Sequence, residues 1–313
     1  MKVLFLDIVH PVLSERLTES GFECVDCSDL SREKITPFLS DADGIVIRSR
    51  FKMDQQFLKN APRIKFIARS GAGMENIDVK YCDAQNIKLF NAPEGNRNAV
   101  GEHALAMLLA LFNKIIPGDK QIREGKWDRE GNRGVELDGK TVGIIGFGNN
   151  GSAFAKKLSG FDVKILAHDK YKTGFGNEQV IESDLCDLYE SADVISFHIP
   201  QNEETIGFAN QAFFQSFKKN IYLINLARGK VVETHALVQA LKNNTVIGAC
   251  LDVLEYEKAS FESFFEQDIP ADFQYLLESK KTILSPHVGG WTNESYFKLS
   301  DVLADKIMAN FRN

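Results

Sequence analysis

Three glycines and one aspartate carry the most definite chemistry in this sequence. Gly146, Gly148 and Gly151 stand in the spacing Gly-x-Gly-x-x-Gly, directly after the apolar run Thr141–Ile145 and before a helix-like stretch, Ser152–Leu158. In that setting the first glycine makes a tight strand-to-helix turn. The second lets a pyrophosphate approach the backbone, and the third lets the helix pack close to the strand. The helix start adds unpaired amides and partial positive charge, both suited to phosphate. Asp169 ends the next apolar run, eighteen residues beyond Gly151. There its carboxylate can accept from both ribose hydroxyls of an adenosine and would repel a 2′-phosphate, so the predicted ligand is NAD rather than NADP. Such a motif indicates a binding architecture and leaves the reaction open, because unrelated enzymes share it.

The elements that must position these residues follow from the apolar pattern. Short runs at Val3–Ile8, Gly44–Ile47, Lys65–Ala68 and Ile87–Phe90 read as strands with amphipathic stretches between them. A long helical region, largely apolar, then runs from about Asn98 to Trp127. After it the alternation restarts, with candidate strands at Thr141–Ile145, Val163–Ala167, Val194–Phe197, Ile221–Ile224, Thr245–Ala249 and Thr282–Leu284. Alternation of this kind builds βαβ units and parallel sheets. Asn293–Phe311 has apolar residues at helical spacing and closes the chain as a helix. The expected fold is α/β with two doubly wound parallel-sheet domains: a Rossmann dinucleotide domain over 98–286, and a smaller flavodoxin-like substrate domain made of 1–97 plus 287–313.

Three further segments lie at predicted strand ends: Asn225-Leu-Ala-Arg-Gly229, Leu251-Asp-Val-Leu-Glu-Tyr-Glu257 and Ser285-Pro-His-Val-Gly-Gly290. Together with the glycine turn, and in this order, they resemble the D-isomer-specific 2-hydroxyacid dehydrogenases along nearly the whole chain, most nearly those acting on D-3-phosphoglycerate. The resemblance implies catalytic roles for Arg228, Glu257 and His287, and each makes chemical sense. Oxidising an alcohol requires removal of its hydroxyl proton, and an imidazole titrating near neutrality suits that transfer in both directions. A neighbouring carboxylate favours the imidazolium and orients the ring. A guanidinium grips a substrate carboxylate with two donors.

The same resemblance implies cofactor contacts from Ala72, Ile199, Leu226, Ala227, Asp252 and Gly290, in addition to Gly146, Gly148, Asn149, Asn150, Gly151 and Asp169. It implies substrate contacts from Arg48, Ala72, Gly73 and Arg228, no metal, and a homodimer with the helical region near Ala104–Ile116 at the interface. His103 reads as a core residue of that helix. Four departures stand out. Asn149 and Asn150 replace the family's Arg-Ile, which removes one phosphate contact and predicts weaker cofactor binding. Lys258 replaces a customary proline. The Phe-rich segment between Glu257 and His287 is longer than usual and reads as a packing helix rather than a lid. Trp291 replaces a small residue.

Composition narrows the alternatives. Of 313 residues, 44% are hydrophobic and 26% charged, as in ordinary globular proteins. A net charge of -6 argues against a protein built to neutralise nucleic-acid phosphates. The apolar start Met1–Ile8 is cut by Asp7 and His10, too short for a signal peptide, and no run reaches membrane-spanning length. Five cysteines do not describe a disulfide framework, so a reducing cytoplasm is expected. Cys24 and Cys27 form a lone Cys-x-x-Cys and read as small core or strand-end residues. With the chain ending at Asn313, no regulatory domain and no feedback by serine are expected.

Overall fold

The structure, a computed structural model, describes residues 1–257 and 269–311. It divides into two compact units. One holds Met1–Arg97 and the described residues of Trp291–Asn313, and the other holds Asn98–Glu257 and the described residues of Ser263–Gly290.

In the first unit the order is β1 (Lys2–Phe5), α1 (Val12–Glu19), β2 (Glu23–Asp26), α2 (Arg32–Leu39), β3 (Gly44–Ile47), α3 (Gln55–Leu58), β4 (Phe66–Arg69), α4 (Val79–Ala84) and β5 (Lys88–Asn91). The strands pair in parallel as β2-β1-β3-β4-β5, the flavodoxin-like arrangement. β3 is buried along its whole length, as expected of a parallel strand covered on both faces.

The boundary between units falls inside α5 (Pro93–Phe112). The second unit continues with α6 (Ile115–Arg123), β6 (Thr141–Ile145), α7 (Asn149–Lys157), β7 (Lys164–His168), β8 (Val180–Glu182), α8 (Leu185–Ser191), β9 (Val194–Phe197), α9 (Gln211–Gln215), β10 (Ile221–Asn225), α10 (Thr234–Lys242), β11 (Val246–Leu251), α11 (Ala271–Glu278) and β12 (Thr282–Leu284). Its seven strands run β12-β11-β10-β9-β6-β7-β8, all parallel. Counted from β6, this is the Rossmann order with one added edge strand. Finally α12 (Asn293–Phe311) packs on the first unit's sheet. There Leu299, Leu303, Ala304 and Ile307 are buried beside Leu13 and Leu17 of α1. Arg16 ties α1 to α12 by pairing with Asp301 and Asp305.

Three expectations are corrected or refined. The helical region expected from about Asn98 to Trp127 consists of two helices, α5 and α6, bent by 60°; Lys114 at the break has φ 50, a left-handed conformation that ends regular helix. Strands β2 and β8 were not expected, because both are short edge strands with polar residues that lack the apolar run of an interior strand. The chain rejoins the first unit at Trp291 rather than at His287, so His287–Gly290 pack with the second unit. Of the Phe-rich segment, residues 258–268, including Lys258, lie outside the described residues. The described part is α11, whose Phe273 and Leu276 are buried in the second unit's core.

Cys24 lies in β2 and Cys27 just beyond it, both as free thiols. Burial raises the pKa of each thiol above its ordinary value, which makes them unreactive. Among the described residues, no single helix is long and apolar enough to cross a membrane, and no cluster of His, Cys, Asp and Glu could hold a metal ion.

Candidate active site

In a doubly wound sheet, ligands bind beyond the carboxyl ends of the strands, where the strand order reverses. In the second unit that point lies between β6 and β9. The glycine turn follows β6, and His198-Ile-Pro200 follows β9. Gly146 has φ 94, and a Cβ there would lie 2.7 Å from the His198 carbonyl oxygen and 2.8 Å from Ile199 Cγ2. A Cβ on Gly151 would lie 2.0 Å from the Gly146 carbonyl oxygen. Both positions therefore require glycine to close the turn. A Cβ on Gly148 would meet nothing within 4 Å. Gly148 is also the N-cap of α7, and no side chain caps that helix. The side-chain oxygen of Asn150, one residue into α7, is buried without a hydrogen-bond partner among the described residues. An open glycine and an uncapped helix start are the features that a pyrophosphate would occupy, so these residues fit a dinucleotide.

Asp169 follows β7. Its Oδ2 accepts from Phe147 N at 2.8 Å, and its Oδ1 accepts from Tyr171 N and Lys172 N at 2.9 and 3.0 Å. The carboxylate thus ties the glycine turn to β7, and of its four acceptor sites one, on Oδ2, is left for a ribose hydroxyl. Burial pushes the His198 imidazole down to about 3, so this ring is neutral; its Nε2 lies 2.8 Å from Ser196 Oγ.

The three candidate catalytic residues are joined through one set of turns in the second unit. After β10, Asn225 closes its own loop: Oδ1 accepts from Ala227 N at 3.1 Å, and Nδ2 donates to Arg228 O at 3.0 Å. Leu226 and Ala227 are buried, and Arg228, half-buried, donates from Nη1 to Ala227 O at 2.6 Å. A Cβ on Gly229 would lie 1.9 Å from Leu254 O, so the arginine loop rests on the Leu254 peptide. Leu254 N donates to Glu257 Oε1 at 2.5 Å, and Glu257 Oε2 lies 2.7 Å from His287 Nδ1. A carboxylate can only accept, so Nδ1 carries the hydrogen and Nε2 is left as the basic nitrogen of His287. His287 has φ 54, an uncommon conformation for a residue with a side chain.

Asp252, 2% exposed, holds the His287 turn. Its Oδ1 accepts from Ser285 Oγ at 2.6 Å and Val288 N at 2.9 Å, and its Oδ2 accepts from Gly289 N at 2.8 Å. Its carbonyl accepts from His287 N at 2.8 Å. Gly290 follows in the same turn. Gly289, which sequence reasoning passed over, is the glycine whose Cβ would strike Asp252 Oδ2, at 2.8 Å. Ser285 was likewise unflagged. The doubled glycine beside Ser285-Pro286 was the available signal.

The remaining candidates belong to the first unit. Ala72 and Gly73 follow β4; Ala72 O accepts from Asn91 Nδ2 at 2.5 Å, and Gly71 O accepts from Ala92 N at 2.9 Å. Arg48 follows β3. Its carbonyl accepts from Arg69 Nε at 3.2 Å and Asn76 Nδ2 at 3.1 Å, and its guanidinium lies over the Trp291 ring at 4.1 Å. Burial draws the Arg48 pKa below its ordinary value, yet an arginine stays charged. Trp291, one of the departures from the family pattern, is therefore the stacking partner of Arg48.

The model of the D-isomer specific 2-hydroxyacid dehydrogenase NAD-binding domain matches residues 105–289. The D-3-phosphoglycerate dehydrogenase of Archaeoglobus fulgidus is 32% identical over 98% of this chain, although the chain spans only 57% of that protein. The glyoxylate reductase of Thermofilum pendens is 35% identical over 89% of the chain and 81% of its own length. The chain belongs to the D-isomer specific 2-hydroxyacid dehydrogenase family. Family members are NAD-dependent oxidoreductases, and the matched NAD-binding domain contains the glycine turn, Asp169, Arg228, Glu257 and His287. A solved D-lactate dehydrogenase from Aquifex aeolicus, complexed with NAD and lactic acid, has the same fold, with a TM-score of 0.82, 28% identity and coverage of 98% of this chain and 94% of its own.

Proposed function

We propose that this chain interconverts a D-2-hydroxy acid and its 2-oxo acid, with NAD taking or supplying the hydride at C2. The observation that carries this reading is the 2.7 Å contact between Glu257 and His287 Nδ1, which leaves Nε2 to take the hydroxyl proton during oxidation and return it during reduction. Glu257 favours the imidazolium that forms. Arg228 grips the substrate carboxylate and polarises the carbonyl. The substrate pair proposed is D-3-phosphoglycerate and 3-phosphohydroxypyruvate. Arg48 supports this choice: its guanidinium face lies against indole and Nη1 donates to Ile8 O at 3.5 Å, and its other N–H groups suit a phosphate.

The test is turnover of a panel of 2-oxo acids with NADH and with NADPH. His287→Asn suits this test because asparagine tolerates the left-handed backbone; it should retain NADH binding while kcat falls by roughly 10²–10⁴-fold. Tight NADH binding by the wild type with no turnover would favour an NAD-sensing, corepressor-like binding protein instead. Arg48→Ala should raise KM strongly for 3-phosphohydroxypyruvate and leave glyoxylate little changed. Equal effects would remove the phosphate assignment and leave glyoxylate, hydroxypyruvate or D-lactate as the substrate.

A homodimer completes the proposal, with one change from expectation. Ala104, Met107, Leu108 and Phe112 of α5 are buried in their own unit, so the exposed apolar surface is on α6 and beyond it, at Ile115, Ile116, Ile122 and Trp127. Light scattering on the wild type and on Ile116→Glu tests whether that surface pairs. The five free thiols support a reducing, cytoplasmic setting.

A further inference from the structure

His103 reads as a core residue from sequence, but the structure brings its ring to the candidate catalytic turn. His103 Nε2 is 3.0 Å from Ser285 Oγ and 3.7 Å from Asp252 Oδ1, and Ser285 Oγ is 2.6 Å from the same Asp252 oxygen. The direction of this chain follows from chemistry. An ionised carboxylate has no hydrogen to give, so the serine must place its single hydroxyl hydrogen on Asp252. Its oxygen then has to accept from His103, which must carry hydrogen on Nε2. The ordered sequence is His103 Nε2–H to Ser285 Oγ–H to the Asp252 carboxylate, which also holds Val288 N and Gly289 N.

The turn so held contains His287, whose φ of 54 has to be maintained by its surroundings. Ser285 has a competing acceptor. Met107 Sδ lies 3.6 Å from its hydroxyl. Without a donor on its oxygen, the hydroxyl is free to rotate away from Asp252 and release one of the contacts that fix the turn.

We propose that His103 is a positioning residue for the reaction: by donating to Ser285 it commits the serine hydroxyl to Asp252 and so fixes the turn that presents His287. This rests on the reading of His287 as the proton-transfer group. The test uses full-length His103→Leu, His103→Gln, Ser285→Ala and the His103→Leu/Ser285→Ala double variant. For each, kcat and KM are measured with the 2-oxo acid that the wild type reduces best, alongside the NADH dissociation constant, the Tm, and the imidazole NMR resonances of His287 identified by their loss in His287→Asn.

His103→Leu should lower kcat by about ten- to thirtyfold, a misplacement effect, with KM and NADH affinity within about twofold. His103→Gln, whose amide also offers an N–H, should recover most of that loss. The double variant should be no worse than the poorer single variant, because both substitutions break one chain. The His287 resonances should shift in His103→Leu and return in His103→Gln, and this readout needs no turnover. The proposal is overturned if His103→Leu lowers Tm while kcat and the His287 resonances stay put, if His103→Gln is as impaired as His103→Leu, or if the two single losses multiply. Full activity in His287→Asn would instead overturn the underlying assignment of His287, whatever the His103 variants do.

Discussion

Each unit has one place where its strand order reverses, and the two places treat an anion in opposite ways. In the second unit, between β6 and β9, the turn after β6 leaves Gly148 open and the start of α7 uncapped by any side chain. In the first unit, between β1 and β3, the loop after β3 turns three successive amides toward one point, and the protein fills that point itself. Asp7 Oδ2 accepts from the N–H groups of Arg48, Ser49 and Arg50 at 3.1, 3.0 and 3.2 Å. Successive amides of this kind form a nest for a negative group. One reversal point is therefore left open, as a ligand's phosphates would require, while the other is satisfied by an internal carboxylate that fixes the loop carrying Arg48. Similar topology does not make similar sites; what decides is whether a side chain of the protein already occupies the anion position.

The comparison breaks most visibly at Gly151. A methyl group there would overlap the Gly146 carbonyl, so Gly151→Ala must push α7 away from β6. The expected result is loss of measurable NADH binding and a stability loss of about 3 kcal/mol, the upper part of the usual overpacking range, read from fluorescence titration and denaturant unfolding. Gly148→Ala sharpens the contrast, because its methyl group enters open space. Tm should stay close to wild type while the NADH dissociation constant rises by roughly 10–100-fold, through exclusion of the pyrophosphate from the backbone. A stable Gly148→Ala protein that binds NADH normally would show that the opening is not the phosphate site.

The two reversal points also differed in how far sequence revealed them. Gly146, Gly148, Gly151 and Asp169 sit on consecutive elements, and short-range spacing suffices to recognise them. Interior strands such as β6 and β9 were found residue for residue, because a strand buried on both faces is an unbroken apolar run. Arg228, Glu257 and His287 became candidates only because three motifs occurred together in family order; the Gly229–Leu254 contact and the Glu257–His287 bond that join them are long-range and leave no local pattern. The Asp7 nest, the His103–Ser285–Asp252 chain and the Arg48–Trp291 stack were not legible at all. Each pairs residues far apart in sequence, and each residue alone has an ordinary alternative as a surface or core side chain.

At Asp7 the expected effect is on the fold rather than on the cofactor. Asp7→Ala leaves three amides without their acceptor, and since two of these contacts are only part-buried and the third is exposed, water replaces part of what is lost. The stability loss should be about 1–3 kcal/mol by denaturant unfolding, with NADH affinity unchanged. If NADH affinity fell as far as in Gly148→Ala, the two reversal points would not be separable in function.

The smallest effect belongs to Trp291. Its ring supports the Arg48 guanidinium from one face at 4.1 Å while remaining 49% exposed. An exposed cation–π contact contributes about 0.5–1 kcal/mol, which corresponds to a change of roughly two- to fivefold in any constant that depends on Arg48. Trp291→Ala should therefore raise KM for 3-phosphohydroxypyruvate by that factor and leave KM for glyoxylate unmoved, since glyoxylate carries no second anion for Arg48 to hold. Trp291→Phe, which keeps an aromatic face, should fall between wild type and alanine. A larger loss with glyoxylate than with the phosphorylated acid would mean that Trp291 shapes the site directly rather than through Arg48, and the first unit's fixed arginine would then have no part in substrate choice.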